Sequence, residues 1–360
     1  MTANDFVTSA AALLSLVLAP AAIAARLDDG ARSPALAPDA MLERIALGSC
    51  LHQHRDQSIL NRITADRPDL MLYLGDNVYG DIRDDGVEAL ENAYIKQAGS
   101  TPLNRLRSTT PRLAVWDDHD YGLNDAGAEF PFRAEAKAFF TKFWHIDPAR
   151  FSERDGIEDA WIVGPPGRRI QFILLDTRSY RSRLKPTDAR GAVGKERYLP
   201  DPAPDKTMLG DDQWAWLAGQ LQQPADLRVI VSSIQVIADG HGWEAWRALP
   251  AERERFYDTL RETGAEGVIL VSGDRHRAGI YTRTDVLDYP LWEFTTSSLN
   301  LPIESGTEEP GPYRVGPSYR GANYGLIDID WREGRLLFEV VDEAGGSALM
   351  QSIALADLRR

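Results

Sequence analysis

The chain contains one cysteine, Cys50, in 360 residues, which excludes an intramolecular disulfide framework and leaves the redox compartment unread by cysteine count. Basic residues are also short: 40 Lys and Arg face 54 Asp and Glu, a formal charge of −14. That balance argues against a nucleic-acid-binding surface or an anionic-membrane surface, because both need excess cations to displace counterions. It suits a protein that gathers cations. No apolar run is long enough for a stable membrane span; the nearest, Ala11 to Leu18, is short and alanine-rich. There is no repeat and no long low-complexity tract. What remains, 43% hydrophobic and 26% charged residues with nine Trp, is the composition of an ordinary globular protein.

The segment Ala11–Leu18 followed by Ala19-Pro20-Ala21-Ala22-Ile23-Ala24-Ala25 has the apolar stretch and small-residue region of a secretory signal. Its first ten residues carry Asp5 and no Lys or Arg, unlike the usual positive start. The expectation is a signal peptide over 1–25 and export to the periplasm or medium, with a cytoplasmic leader as the other reading. Residues 26–42, rich in Ala, Asp, Pro and Ser, read as a linker.

From Ile45 onward, short apolar runs alternate with stretches of helical periodicity. Strand candidates are Ile45–Gly48, Leu70–Leu74, Arg112–Trp116, Ile170–Leu175, Val229–Val231 and Gly267–Val271; helix candidates are Asp56–Asp66, Glu88–Ala98, Arg133–Trp144, Asp211–Gln222 and Ala251–Thr263. This alternation predicts an α/β protein with a sheet covered by helices. The later runs from Leu291, Leu326–Asp330 and Leu336–Val341, with a tight turn at Arg332-Glu333-Gly334, predict a second sheet.

Nearly every apolar run ends in a chemically active cluster: Gly48-Ser49-Cys50, Gly75-Asp76-Asn77-Val78-Tyr79, Trp116-Asp117-Asp118-His119-Asp120 and Ser272-Gly273-Asp274-Arg275-His276. In open α/β sheets, sites form beyond the carboxyl ends of the strands. Five or more carboxylates converging there cannot all stay ionised without a cation among them. Each residue has two readings. Cys50 is a metal ligand or a packed small hydrophobe; Asp76 bridges two ions or caps the next turn. Tyr79 is a core aromatic or a phenolate donor, a hard ligand that favours Fe(III). Asp274 and His276, two apart on an extended segment, point the same way. One of the acids at 117–120 is expected to serve as a helix cap.

These motifs, with Asp176-Thr177-Arg178 and Gln213-Trp214-Ala215-Trp216-Leu217, occur in an order that resembles the calcineurin-like metallophosphoesterases, and within them the alkaline phosphatase D, or PhoD-like, group, from Arg44 to Glu343. The resemblance implies a four-layer α-β-β-α sandwich of two mixed sheets with flanking helices, one catalytic domain over 43–360, and a dinuclear centre, Fe(III) with Ca(II) or another divalent ion. It further implies that Cys50, Asp76, Tyr79 and His276 hold iron, that Asp76 bridges, that Asp118 and Asp274 serve the second ion, and that His119 faces the scissile phosphate as an acid. A histidine usual on the fourth strand is absent, and Ser232-Ser233-Ile234-Gln235 stands there. The second site is therefore expected either to take fewer protein ligands or to recruit Asp117, Asp120, Asn124 or Asp125, which otherwise stand behind it.

The reaction implied is hydrolysis of a phosphate mono- or diester. Arg178 is expected either to clamp phosphate or to form a structural salt bridge, and Arg133, Arg275 and His241 are weaker substrate-binding candidates; the run His241-Gly242-Trp243-Glu244 and Tyr121 either shape the leaving-group side or pack as an ordinary loop. The loop 181–206 is expected to cover the pocket. Two other readings stand beside this one: a metal-free cysteine hydrolase pairing Cys50 with His119 or His276, and a catalytically silent exported binding protein of the same fold.

Overall fold

The computed structural model describes residues 30–83, 86–305 and 308–360. The expected signal peptide at 1–25 lies outside the described residues. In chain order the strands are β1 (Arg44–Gly48), β2 (Leu70–Leu74), β3 (Arg112–Val115), β4 (Asp159–Val163), β5 (Ile170–Leu174), β6 (Lys185–Pro186), β7 (Tyr198–Leu199), β8 (Leu227–Ser232), β9 (Val268–Ser272), β10 (Ala278–Arg283), β11 (Leu291–Thr296), β12 (Asn323–Asp330), β13 (Arg335–Asp342) and β14 (Ser347–Ala354). The principal helices are α1 (Ile59–Asp66), α2 (Glu88–Ala98), α3 (Thr101–Thr109), α4 (Asp118–Tyr121), α5 (Arg133–Phe143), α6 (Gly210–Leu221) and α7 (Pro250–Thr263).

Two six-stranded mixed sheets form, ordered β14-β13-β12-β1-β2-β3 and β10-β11-β9-β8-β5-β4. Within them β1-β2-β3 and β5-β8-β9-β11 run parallel. Side chains alternate across a strand, and β2 shows the result. Leu70, Leu72 and Leu74 join the core shared with Phe172, Val229 and Val271 of the other sheet, while Met71 and Tyr73 pack beneath the helices with Tyr94, Phe139 and Phe143. Burial on both faces explains why β2, β5 and β9 are buried throughout. Phe294 of β11 and Phe338 of β13 stack across the sandwich at 4.1 Å.

The C-terminal strands depart from expectation. The run from Leu291 does lie in the second sheet, as β11, but the later ones do not: β12 pairs antiparallel with β1, and the β12-β13-β14 meander extends the first sheet. The second sheet is built from the middle of the chain. Residues 30–42, expected as a linker, are docked, with the Gly164 N–H donating to the Pro38 carbonyl at 2.9 Å and Leu36 and Ala40 against the core. Among the described residues no helix is long and apolar enough to cross a membrane.

Helix ends follow local chemistry. Pro250 opens α7, where its missing N–H costs nothing, and Gly264 closes it in the left-handed conformation. The four-residue α4 matters most for the site: Asp117 precedes it, and Asp120 in its first turn accepts the Asp117 N–H at 2.7 Å.

Candidate metal centre

The ends of β1, β2, β3 and β9 deliver Cys50, Asp76, Asp117-Asp118 and Asp274 to one edge of the sandwich. The backbone there is contorted in a consistent way. Cys50 (φ 58°), Asp76 (54°), Asp125 (55°), Asp274 (67°) and His276 (53°) all adopt the left-handed conformation, which costs a non-glycine residue roughly 1–2 kcal/mol. Strain of this kind persists only where the surroundings impose it, and it clusters at functional sites. Gly75, at φ 101°, lets β2 close against β3, since a Cβ there would lie 2.5 Å from the Asp117 Cβ.

Three donor groups adjoin one another, with the ligand atoms of each within 4.8 Å: Cys50, Asp76 and His276; Asp76, Asp118 and His119; Asp118, Asp125 and Glu244. Shared Asp76 and Asp118 link them into a row. Asp76 Oδ2 accepts from the Cys50 thiol at 3.4 Å and from the Tyr79 hydroxyl at 2.9 Å. His276 Nδ1 donates to the Leu301 carbonyl at 2.6 Å, which fixes the tautomer and leaves Nε2 as the ligand lone pair. His119 Nδ1 lies 2.6 Å from Asp81 Oδ1, and its Nε2 lies 4.0 Å from Asp118 Oδ1. Tyr79 stacks between His52, at 4.9 Å and 15°, and His119, at 4.3 Å.

The electrostatics require compensation. Burial pushes the Cys50 thiol up to about 11, and burial with the nearby Cys50 and Asp118 raises Asp76 well above the carboxylate range. Burial also lifts Asp117, Asp274 and Glu244 to about 7 each, with Asp117, Asp118 and Asp125 adding to the effect at Asp274. Against burial, the Asp118 and Asp76 carboxylates raise His119 to about 11. Asp76 Oδ1, Asp117 Oδ2, Asp118 Oδ1 and Glu244 Oε2 are buried with no hydrogen-bond partner. Polyvalent cations are the ligands that satisfy such oxygens and hold thiol and carboxylates ionised. The residues fit a metal centre: sulfur, nitrogen and carboxylate donors around Cys50, and a more oxygen-rich set around Asp118. The third group needs a cation least, because Arg197 already meets Asp125 at 2.5 Å and Arg178 and Arg181 meet Glu244 at 2.9 and 3.1 Å.

The remaining candidates are placed as follows. Asp120 is spent on backbone, accepting from Asp76, Asn77 and Asp117 N–H groups at 2.7–2.8 Å, and it supports the turn. Asp117 stands behind the donors, held by Arg178 Nε at 2.7 Å, by Arg178 Nη2, and by Ser233 at 2.6 Å. Ser233 belongs to the segment that replaces the missing histidine. Arg178 is placed otherwise than a phosphate clamp requires: it is fully buried, and its guanidinium is engaged by Asp117, Glu244 and the Ala126 carbonyl. The structural salt bridge is the reading that the geometry supports.

Arg133 faces the Ser179 carbonyl at 3.3 Å, and Arg275 grips Glu309 with Nη2 at 2.8 and 2.9 Å beside Trp243. His241 is buried, its Nε2 3.2 Å from the Gln235 side chain. Asn124 lies half-buried in the turn, and its neighbour Asp125 is the one that joins the donors, giving its N–H to Asp118 Oδ2 at 2.6 Å. The loop 181–206 reaches the site through Arg197 and Tyr198, which hold Asp125. Asp81 was not singled out as a site residue by the sequence, and Glu244 was offered only within the His241-Gly242-Trp243-Glu244 run, on the leaving-group side and not as a donor. Asp81 lies just beyond the Gly-Asp-Asn-Val-Tyr motif, and Glu244 follows the His241-Gly242-Trp243 run; neither ends a strand. A hollow of about 500 Å³ opens beside Tyr79 and His119, lined also by Gln53, His54, Arg83 and Asn92.

Residues 45–320 match the PhoD-like phosphatase family. Alkaline phosphatase D of Bacillus subtilis (strain 168) is 23% identical over 268 residues, covering 64% of this chain and 45% of that protein. The match therefore spans under half of that relative's length. The solved structure of PhoD superposes with a TM-score of 0.68 at 17% identity, covering 89% of this chain and 70% of that one; the two share the fold.

Proposed function

Because the chain belongs to the PhoD-like phosphatase family, we propose that it hydrolyses phosphate esters, mono- or diesters, at a dinuclear centre of Fe(III) and Ca(II). Cys50, Asp76, Tyr79 and His276 would hold the first ion; Asp76, Asp118 and Asp274 would hold the second, with Asp125 and Glu244 bordering it. The observation that carries this reading is the row of donor groups joined through Asp76 and Asp118, with buried carboxylate oxygens that have no other partner. When bound, such ions acidify water and offset charge developing on the phosphoryl oxygens.

The chain's own residues supply position and protons. Asp81 fixes His119 through Nδ1, so that Nε2 is turned toward the Asp76–Asp118 edge. A protonated His119 there serves as the acid for the departing alkoxide. The alcohol part of the ester occupies the hollow beside Tyr79 and His119, whose mixed polar walls suit a hydroxylated leaving group. Arg178 and Ser233 act from below by keeping Asp117 in place.

The metal-free cysteine reading has nothing specific in its favour. A nucleophilic cysteine needs a lowered thiol pKa, and here burial raises it.

The test is metal analysis of the purified protein together with turnover of mono- and bis-aryl phosphates before and after chelation. Asp76→Asn is expected to lose bound metal and at least 10³-fold in kcat/KM together, on the order expected for removing a central electrostatic group. Full activity in the chelated protein would overturn the proposal.

A further inference from the structure

A second cavity, of about 540 Å³, lies away from the metal centre between β3 and β4. These are the edge strands of the two sheets, so the sandwich is open along this side. Residues 32–36 cross the opening and form one wall; Phe151 and Trp161 form another. The size is that of a small-molecule site.

Arg112 is the unusual member of its lining. It begins β3, the strand whose other end leads to Asp117, so its backbone stands about 15 Å along the chain from the metal ligands. Its guanidinium carbon lies 5.5 Å from the Trp144 ring centroid, and its Nε is buried with no hydrogen-bond partner. No carboxylate among the described residues pairs with it. The two acids of the lining are already used: Asp159 accepts from Arg150 at 2.6 and 2.7 Å and from the Trp161 indole at 2.9 Å, and Asp147 accepts the Ala149 N–H at 3.0 Å. Ser33, in the same lining, has a buried hydroxyl without a partner. Arg112 as a whole is half-buried, but its Nε is shut off from water, and a polar atom so placed is normally paired because leaving it unpaired is costly. Burial and the neighbouring Arg107 lower Arg112 to about 10, still cationic at neutral pH.

From these features we infer that this cavity is a binding site for a small organic anion with an apolar body, its acid group on Arg112 and Ser33 and its body against Leu36, Phe151 and Trp161. The surrounding protein carries net negative charge, so affinity for an anion is local to this cavity. The inference does not depend on the chemistry at the metal centre.

Calorimetric titration of the full chain with octanoate and with 1-naphthoate, using 1-octanol as the neutral control, tests it. Saturable one-to-one binding is expected for an acid, at least tenfold tighter than for the alcohol. Arg112→Met, which keeps the apolar stem, is expected to weaken acid binding at least tenfold while metal content and phosphate-ester hydrolysis stay unchanged. Leu36→Trp, which fills the cavity and leaves Arg112 intact, is expected to abolish it. Absence of saturable binding by both acids, equal binding of the alcohol, or undiminished acid binding in whichever of these variants folds overturns the proposal.

Discussion

At the scale of single residues, the His119–Asp81 contact separates a proton-delivery role from a metal-holding one. Asp81 touches the ring at Nδ1 and belongs to none of the three donor groups. Asp81→Asn is expected to keep bound metal, to lower kcat about tenfold or more for alkyl phosphates, and to affect aryl phosphates much less, because a good leaving group needs little protonation. Comparing the two substrates with metal content measured in parallel checks this.

Glu158 offers an independent titration, since burial and Asp176 raise it to about 7 from 4.5. The folded protein then holds a proton that the unfolded chain releases, so the contribution of this group to stability is full below pH 4.5 and is lost as pH rises through 7. Glu158→Gln is expected to remove that group's share of the pH dependence and to gain about 1–3 kcal/mol over the parent at pH 8 but not at pH 4, measured by denaturant unfolding of both proteins at the two pH values.

The placement of Cys50, Asp76, Asp118 and Asp274 at one sheet edge was legible in the sequence because each follows an apolar run, and the end of a buried strand locates a side chain without further information. Asp125 was legible only as one of several acids near the second site, and Glu244 was not legible as a neighbour of Asp118. Their positions depend on contacts far apart in sequence, Arg197 and Tyr198 on Asp125 and Arg178 and Arg181 on Glu244.

At the scale of elements, the close approach of β2 to β3 is what brings two ligand-bearing turns together. Gly75→Ala is expected to destabilise the protein by about 1–3 kcal/mol, from a methyl group against Asp117 and an unfavourable φ, and to reduce metal affinity because Asp117 and Asp118 must move. Thermal unfolding and metal titration of the variant report the two effects separately. The strands themselves were readable from their apolar runs, and α7 from its proline and glycine ends. The partners of β12 and β13 were not. A period of two says which face a side chain takes but not which strand lies alongside, so the same pattern served equally for a separate sheet and for the extension of the first that the structure contains. Strand β4 is a half-exposed edge strand of five residues and helix α3 has a Ser100 cap and a proline in its first turn but a weak apolar pattern, so neither stood out as an apolar run.

At the scale of the whole molecule, cations bound at the sheet edge would stabilise the fold by mass action, since the row of candidate donors exists only in the folded chain. A ligand present at about 1,000 times its dissociation constant contributes about 4 kcal/mol. For a chain of this length, chelation is expected to lower Tm by about 5 °C or more, read by calorimetry with and without chelator. An unchanged Tm would mean that the carboxylates are compensated from within.

The left-handed backbone at Cys50, Asp76, Asp274 and His276 has a further consequence for anyone seeking to harden this protein. Those turns are shaped as glycine would shape them, and they hold the Cys50 and Asp76 side chains buried and those of Asp274 and His276 half-buried. A redesign scored on stability alone would therefore replace these residues first, and each improvement to the scaffold would remove a candidate ligand.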